Sequence, residues 1–174
     1  MTIRAAAPGD FDAIAAITNH YIATTAIHFS YDPVTRDELV DAWQSTRERH
    51  PWLVLEQAGV IIGYAKSGPW RERAAYAWTC EVGLYVVEGA HRRGLGTALY
   101  SELLDQCAAF GLRSAVAGIT VPNPASVALH ERLGFVLVGV FRDAGWKQGA
   151  WHDVVFYQKL LATGPRGPNA GDAS

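Results

Sequence analysis

Cysteine is scarce in this chain of 174 residues, which has only Cys80 and Cys107. Two are too few for a disulfide framework and stand too far apart in sequence for a metal-binding pair, so a reducing cytoplasm is the natural expectation. Charge of one sign is lacking too. The formal net charge is -2, with arginine far outnumbering lysine among the 15 cations, and such a balance gives no general attraction to a nucleic-acid backbone or an anionic membrane. No apolar stretch approaches the roughly 20 residues of a membrane span. The opening Met1 to Asp10 has a charge but no apolar core and does not read as a signal peptide. His20, His28, His50, His91 and His152 show no ligand spacing with a carboxylate or cysteine, so no metal site is expected. Repeats are absent, and low complexity is confined to Thr163 to Ser174, TGPRGPNAGDAS. That stretch has too little apolar surface to order itself, which leaves one domain over 1–162 and a flexible tail over 163–174.

What is present fits a globular domain with a sizeable core: 49% of the residues are hydrophobic, 18% are charged and six are tryptophan. Strand and helix signals alternate. Thr2 to Ala7 can form a strand stopped by Pro8-Gly9, after which Asp10 is expected to cap a helix carrying Phe11, Ile14, Ile17 and Tyr21. Thr35-Arg36-Asp37-Glu38 has the form of a capping box and opens a second helix running towards Arg49, with Pro51 as its stop. Trp52 to Gln57 and Val60 to Lys66 read as a hairpin turning at Ala58-Gly59. Trp78 to Val87 is a strand, Leu95 to about Phe110 a helix closed by Gly111, and Arg113 to Val121 a further strand. Asn123 caps a helix with Pro124 in its first turn, ending at Gly134. Phe135 to Phe141 and Trp151 to Leu161 complete an α/β (α+β) domain: a mixed sheet of about six or seven strands with about four helices.

The segment after the strand at Leu84-Tyr85-Val86-Val87 is the most informative. His91-Arg92-Arg93-Gly94-Leu95-Gly96-Thr97-Ala98 is a glycine-rich turn running into a helix. Glycines admit close backbone approach, and the first free N–H groups with the helix dipole favour an anion. A pyrophosphate is the predicted occupant; two solvated arginines beside an ordinary helix start is the plainer alternative. A phosphate-binding P-loop would need Lys and then Ser or Thr after Gly96, where Thr97-Ala98 stands. A dinucleotide fingerprint would need a small residue at Leu99 and an acid near Val116. Both fail. Further on, Asn123, Ser126 and His130 fall on one helix face, able to grip a polar cofactor arm or offer a proton, or else to serve as a cap and a half-exposed histidine.

Together these two segments resemble the Gcn5-related N-acetyltransferase superfamily. Its pyrophosphate motif is matched by His91 to Gly96, with His91 in place of the usual Gln or Arg, and its later Asn-to-Gly-Phe helix by Asn123 to Phe135. Here His130 replaces the tyrosine of many relatives. The chain is also similar, outside the tail, to the phosphinothricin and methionine sulfoximine acetyltransferases, through Asn19-His20-Tyr21-Ile22, Pro51-Trp52-Leu53-Val54, Gly68-Pro69-Trp70 with Arg73, Tyr76 to Glu81, Leu129-His130-Glu131, Gly145-Trp146-Lys147 and Trp151-His152-Asp153. The resemblance implies an acetyl-CoA-dependent enzyme, acetyl-CoA held by Leu84, Tyr85, Val86, residues 91 to 98, Asn123 and Ser126, and a small amino-acid-like amine as acceptor. It also implies a homodimer, for which Trp151 to Leu161 offers a contact strand.

Amine acetylation needs a base, since an alkyl amine is mostly ammonium at neutral pH. Glu81 is the candidate, with partial burial beside Trp78 expected to raise its pKa. A surface glutamate is the alternative. His130 is the candidate second proton-transfer group. A backbone N–H within Leu84 to Val86 is expected to meet the thioester oxygen. Cys80, next to Glu81 on a strand, is expected to face the other way. For the acceptor, Arg71, Arg73 and Tyr76 offer guanidinium and hydroxyl groups suited to a carboxylate or phosphinate, and the resemblance adds Phe29. Two other readings stay open: an acetyltransferase of protein or peptide N-termini, and a non-catalytic acetyl-CoA-binding module.

Overall fold

The computed structural model describes residues 1–90 and 94–161. Along the chain it has strand β1 (Thr2–Ala5), helices α1 (Phe11–Thr24) and α2 (Arg36–Thr46), strands β2 (Trp52–Gln57), β3 (Val60–Pro69) and β4 (Thr79–Val86), helix α3 (Leu95–Ala109), strand β5 (Ser114–Val121), helix α4 (Pro124–Arg132), and strands β6 (Val136–Lys147) and β7 (Ala150–Leu160). The strands form one sheet in the order β1-β2-β3-β4-β5-β7-β6, antiparallel except for β4 beside β5. This is the expected mixed sheet with four α-helices.

Local chemistry explains several boundaries. Thr35 accepts from the Glu38 N–H while Glu38 reaches back to the Thr35 N–H, so the capping box forms. Ala58 and Gly59 both take positive φ, 51° and 80°, the geometry of a tight hairpin turn whose twist matches its strands. Asn123 accepts from the Ser126 N–H and Pro124 fills the first turn of α4.

Other expectations need correction. β1 ends at Ala5 and α2 at Thr46, short of Ala7 and Arg49. Asp10 does not cap α1 with its side chain. It closes a single 3-10 turn (Pro8–Asp10), accepting from the Ala7 N–H at 2.8 Å and from the Arg4 guanidinium at 2.7 and 2.8 Å, because a bidentate charged partner outcompetes a helix N–H. β6 does not end at Phe141 but runs to Lys147, through register shifts between Leu137 and Gly139 and between Phe141 and Gly145, with Asp143 at φ 47°. Bulges let a strand continue through residues whose chemistry otherwise signals a turn. The contact strand expected at Trp151 to Leu161 is an inner one: β7 lies between β5 and β6, so β6 is the edge on that side of the sheet.

Two cores lie on opposite faces of the sheet. One joins Leu53, Leu55, Ala65, Cys80, Val82, Ala115, Ala117 and Ile119 to Leu99, Tyr100, Leu103 and Cys107 of α3 and to Phe135. The other joins Val54, Trp52 and Tyr64 to Phe11, Ile14, Ile17 and Tyr21 of α1 and Leu39 and Trp43 of α2. Alternation along β4 assigns the faces: Cys80 and Val82 are buried, whereas Glu81 between them is open. Among the described residues no helix is long and apolar enough to cross a membrane.

Candidate active site

Parallel pairing between β4 and β5 covers only Thr79 to Glu81 against Ser114 to Val116. Beyond Glu81 the strands part, β5 continuing beside β7 while β4 stays with β3. Hydrogen bonds from Val87 N–H to Ile62 O and from Trp70 N–H to Thr79 O fix the alternation on the β3 side. It follows that the backbone groups of Leu84 and Val86 are directed towards the β5 side, where the Val86 carbonyl accepts from Tyr21 Oη at 2.6 Å and the Leu84 backbone lies along the gap. The odd-numbered residues face β3.

Helix α3 starts at the far end of this gap. Gly94 takes φ 72° at its N-cap, a conformation that favours glycine, and no side chain caps the helix there. Ala98 N–H donates to Gly94 O, leaving the N–H groups of Leu95, Gly96 and Thr97 without a helical acceptor, and no acid sits in the first turn. A Cβ on Gly96 would meet Leu84 Cδ2 at 3.3 Å, so the helix start lies directly against β4. A coenzyme A diphosphate fits this uncapped, acid-free N-terminus, and its extended pantetheine arm fits the strand gap. His91, Arg92 and Arg93 of the sequence motif lie outside the described residues.

On the open face, a cleft of about 390 Å³ is lined by Ile27, His28 and Phe29 of the loop after α1, Glu81 and Tyr85 of β4, Gly118 and Thr120 of β5, and Phe141, Ala144, Val154 and Phe156 of the last hairpin. Its size suits a small ligand. The sheet beside Glu81 is bare as well: a Cβ on Gly68, its cross-strand partner, would have nothing within 4 Å, and one on Gly83 only Tyr85 Cε2 at 3.9 Å. The Glu81 carboxylate stays open at the mouth, yet the surrounding walls strip enough water to raise its pKa above the ordinary value, against the opposing pull of Lys66. Trp78 is not one of those walls. It immediately precedes β4 and lies under the Arg49 guanidinium, 4.8 Å from its ring centroid.

The cleft loop is held from behind by residues to which the sequence assigns no role beyond the family resemblance. Lys147 is buried, 5% exposed, and its Nζ donates to Ile22 O and His28 O at 2.6 Å each. Tyr31 Oη donates to Trp146 O, His152 Nε2 bonds Lys147 O at 2.9 Å, and Phe29 packs so tightly on Gly145 that a Cβ there would fall 2.4 Å from its ring. Gly145-Trp146-Lys147 and His152 are thus the seat of the loop. A lysine inside a hairpin gives no sequence signal for its acceptors, which lie more than a hundred residues earlier.

His130 is not beside Glu81. It is buried in the core on the opposite face, with ring contacts to Tyr100, Phe135 and Tyr157. Its Nδ1 faces Ser126 O at 2.7 Å, an acceptor only, so that nitrogen carries the proton and Nε2 accepts from Tyr100 Oη at 3.0 Å. Burial holds its pKa below the ordinary histidine value, and the ring is neutral at pH 7. Ser126 Oγ lies 3.4 Å from His130 Nδ1, and the Asn123 side chain is occupied as the α4 cap. Cys80 is fully buried on that same face, as its position beside Glu81 requires.

Arg71, Glu72, Arg73 and Tyr76 line a second depression of about 370 Å³. Trp70 connects the two, with Arg71 above its ring at 5.2 Å and Phe156 of the first cleft against it at 5.7 Å. Phe29 is therefore grouped with Glu81, whereas Arg71, Arg73 and Tyr76 stand on the neighbouring rim. Among the described residues no group of three or more potential metal ligands occurs.

A parted β4–β5 pair, an anion-ready helix start and a carboxylate of raised pKa define an acyl-transfer site built for a thioester donor. Residues 14–135 match the model of the Acetyltransferase (GNAT) family, and the chain belongs to that family. It is 46% identical to a phosphinothricin N-acetyltransferase of Streptomyces viridochromogenes over 90% of this chain and 86% of that one. It is 38% identical to an L-methionine sulfoximine/L-methionine sulfone acetyltransferase of Salmonella typhimurium, over 92% and 95% of the two chains. A phosphinothricin acetyltransferase from Sinorhizobium meliloti, solved with acetyl-CoA, superposes with a TM-score of 0.92 at 34% identity, covering 98% of this chain and 94% of that one.

Proposed function

We propose that the enzyme acetylates the α-amine of a small amino-acid-like acceptor of the phosphinothricin or methionine sulfoximine kind, by direct transfer from acetyl-CoA with both molecules bound. The observation that carries this reading is Glu81, which lines a small cleft at the point where β4 and β5 part. Acetyl-CoA supplies the activated acetyl group. Glu81 takes the proton from the acceptor ammonium, and its raised pKa makes it the stronger base for that task. The Leu84 and Val86 backbone on the gap side lies where an N–H can polarise the thioester carbonyl. Phe29, Phe141 and Phe156 exclude water around the reacting nitrogen. Arg71, Arg73 and Tyr76 form an outer rim that attracts an acidic acceptor. With both ring nitrogens engaged, His130 acts as a positioning residue for Tyr100 and the α4 start.

The exposed apolar side chains of the edge hairpin, including Val136, Val138, Phe141, Trp146, Trp151 and Leu160, favour a homodimer through that hairpin. The free, buried cysteines agree with a reducing cytoplasm. The test is thiol release from acetyl-CoA across a panel of amino acids and their sulfoximine and phosphinic analogues, beside a panel of peptides. Turnover confined to peptides would move the acceptor to protein N-termini. No uptake of coenzyme A by calorimetry would remove the reading altogether. Sedimentation at micromolar concentration checks the dimer.

A further inference from the structure

Lys66 is an unusual residue in this fold. It interrupts the apolar run Ile61-Ile62-Gly63-Tyr64-Ala65 at a position that the register directs onto the catalytic face: Lys66 pairs with Gly83, and the next pair on that face is Gly68 with Glu81. Its side chain is largely withdrawn from water, and its Nζ sits 5.0 Å from the centroid of the Trp52 ring. Among the described residues it makes no ion pair and no hydrogen bond. An aromatic face compensates such a cation only in part, and a desolvated charge with no acceptor is costly. The surroundings are not empty of charge, since both Glu81 and His28 of the cleft feel the ammonium. The opposed position, Gly83, has no side chain to cover it, and a Cβ at Gly68 would meet no atom.

Resting on the acceptor reading above, we infer that Lys66 is an anion subsite of the cleft and that it receives the carboxylate of the amino-acid acceptor, so placing the α-amine over Glu81. The other cations are less suited. Lys147 is committed to two carbonyl oxygens, and Arg71 and Arg73 line the neighbouring depression. Donor phosphates are not the ligand, because the α3 N-terminus packs against Leu84 on the opposite face. Burial lowers the Lys66 pKa, and the attraction of Glu81 works against that, as an arriving carboxylate would. The arrangement explains how an acceptor can be oriented by two charges of opposite sign separated by a glycine floor: its ammonium goes to Glu81 and its carboxylate to Lys66.

The test compares methionine sulfone and phosphinothricin with their α-carboxamides, using the wild-type enzyme, Lys66→Met, Lys66→Gln and Lys66→Arg. The wild type is expected to favour the acids over the amides. Lys66→Met and Lys66→Gln should raise KM for the acids about tenfold or more, the scale of one charge-assisted hydrogen bond, while KM for the amides stays within about twofold; Lys66→Arg should retain most of the preference. Equal use of acid and amide by the wild type overturns the subsite, which needs no variant to show. So does a KM that rises by the same factor for both, or for neither, in whichever neutral variant folds. Wild-type protein that releases no thiol with any amine would instead defeat the acceptor reading itself, and the subsite with it.

Discussion

On the face of the sheet covered by α3 and α4, Cys80, Tyr100, Cys107 and His130 are buried among apolar side chains, and their polar atoms bond within the protein: Cys80 Sγ to Ser114 O, Tyr100 to His130, His130 to Ser126 O. On the other face, Glu81 and Lys66 are partly desolvated as well, but no described residue bonds their charged ends. Burial alone perturbs the pKa values on both faces. Tyr85, on the open face, is pushed up to about 12 by burial first, and Tyr100, on the packed face, goes well above its ordinary range for the same cause. What sets Glu81 and Lys66 apart from the groups of the packed face is hydrogen-bonding capacity that no described residue fills. A perturbed pKa without such capacity marks a packed core, not a site.

The largest effect expected from this contrast is at Glu81. Glu81→Gln should lower kcat/KM at least about 100-fold, or about 2.7 kcal/mol of transition-state stabilisation, while coenzyme A affinity by calorimetry and the melting temperature stay put. Unchanged turnover would place the base elsewhere. The pH dependence follows from the sign of the shift. Glu81 must be ionised to act, its pKa lies above the ordinary value of 4.5, and activity therefore rises with pH along an acid limb above that value. Lys66 favours the ionised form, so Lys66→Met should move the limb to higher pH. A limb that moves down contradicts the placement of the ammonium.

His130→Phe probes the packed face and should show the opposite pattern. It leaves Tyr100 Oη and Ser126 O buried without their partner, which costs about 1–3 kcal/mol, while turnover falls only a few-fold. Thermal unfolding and steady-state rates separate the two. A turnover loss as large as that of Glu81→Gln would make His130 a proton-transfer group and erase the distinction between the faces. Lys147→Met comes next: loss of the ammonium donor to the Ile22 and His28 carbonyls frees the loop bearing His28 and Phe29, so KM for the acceptor should rise several-fold, with KM for acetyl-CoA steady. Equal rises in both constants would mean that the hairpin supports the whole fold and not the cleft in particular.

Much of this was legible in the residues themselves. The Thr35–Glu38 box, the Ala58-Gly59 turn, the Asn123-Pro124 start and the strand-to-helix passage through Gly94 are local devices whose chemistry acts within four residues, and they stand where the sequence placed them. Glu81 is singled out less locally, by its strand leading into the glycine-rich turn together with the family resemblance, and it lines the cleft. What was not legible depends on partners far along the chain. Spacing put Asn123, Ser126 and His130 on one face of α4, but not whether that face meets a ligand or Tyr100 of α3. Asp10 reads as a helix cap because its partner, the Arg4 guanidinium of β1, lies outside the capping turn although it is only six residues earlier. Lys66 and Lys147 show no role in sequence for want of any local partner: one has the Trp52 ring and no hydrogen-bond acceptor among the described residues, and the other has the carbonyls of Ile22 and His28.

The smallest effect is the most specific test of the open floor. At Gly63, a Cβ would press on Tyr85 O at 3.0 Å, against backbone that cannot yield easily, whereas at Gly68 it would touch nothing within 4 Å. Gly68 has no positive φ, so alanine is compatible with its backbone, and the lost freedom of the unfolded chain should stabilise Gly68→Ala by about 0.4–1 kcal/mol. That methyl group would stand opposite Glu81, and in the proposed reading the acceptor side chain lies against the same surface. Gly68→Ala should therefore unfold at a slightly higher temperature yet discriminate more strongly against long acceptors than short ones, whereas Gly63→Ala should lose stability without changing acceptor preference. If Gly68→Ala left the ratio of kcat/KM for long and short amino acids unchanged, the floor between Gly68 and Gly83 would not be where the acceptor rests, and the cleft would have to be entered from the Phe141 and Phe156 side alone.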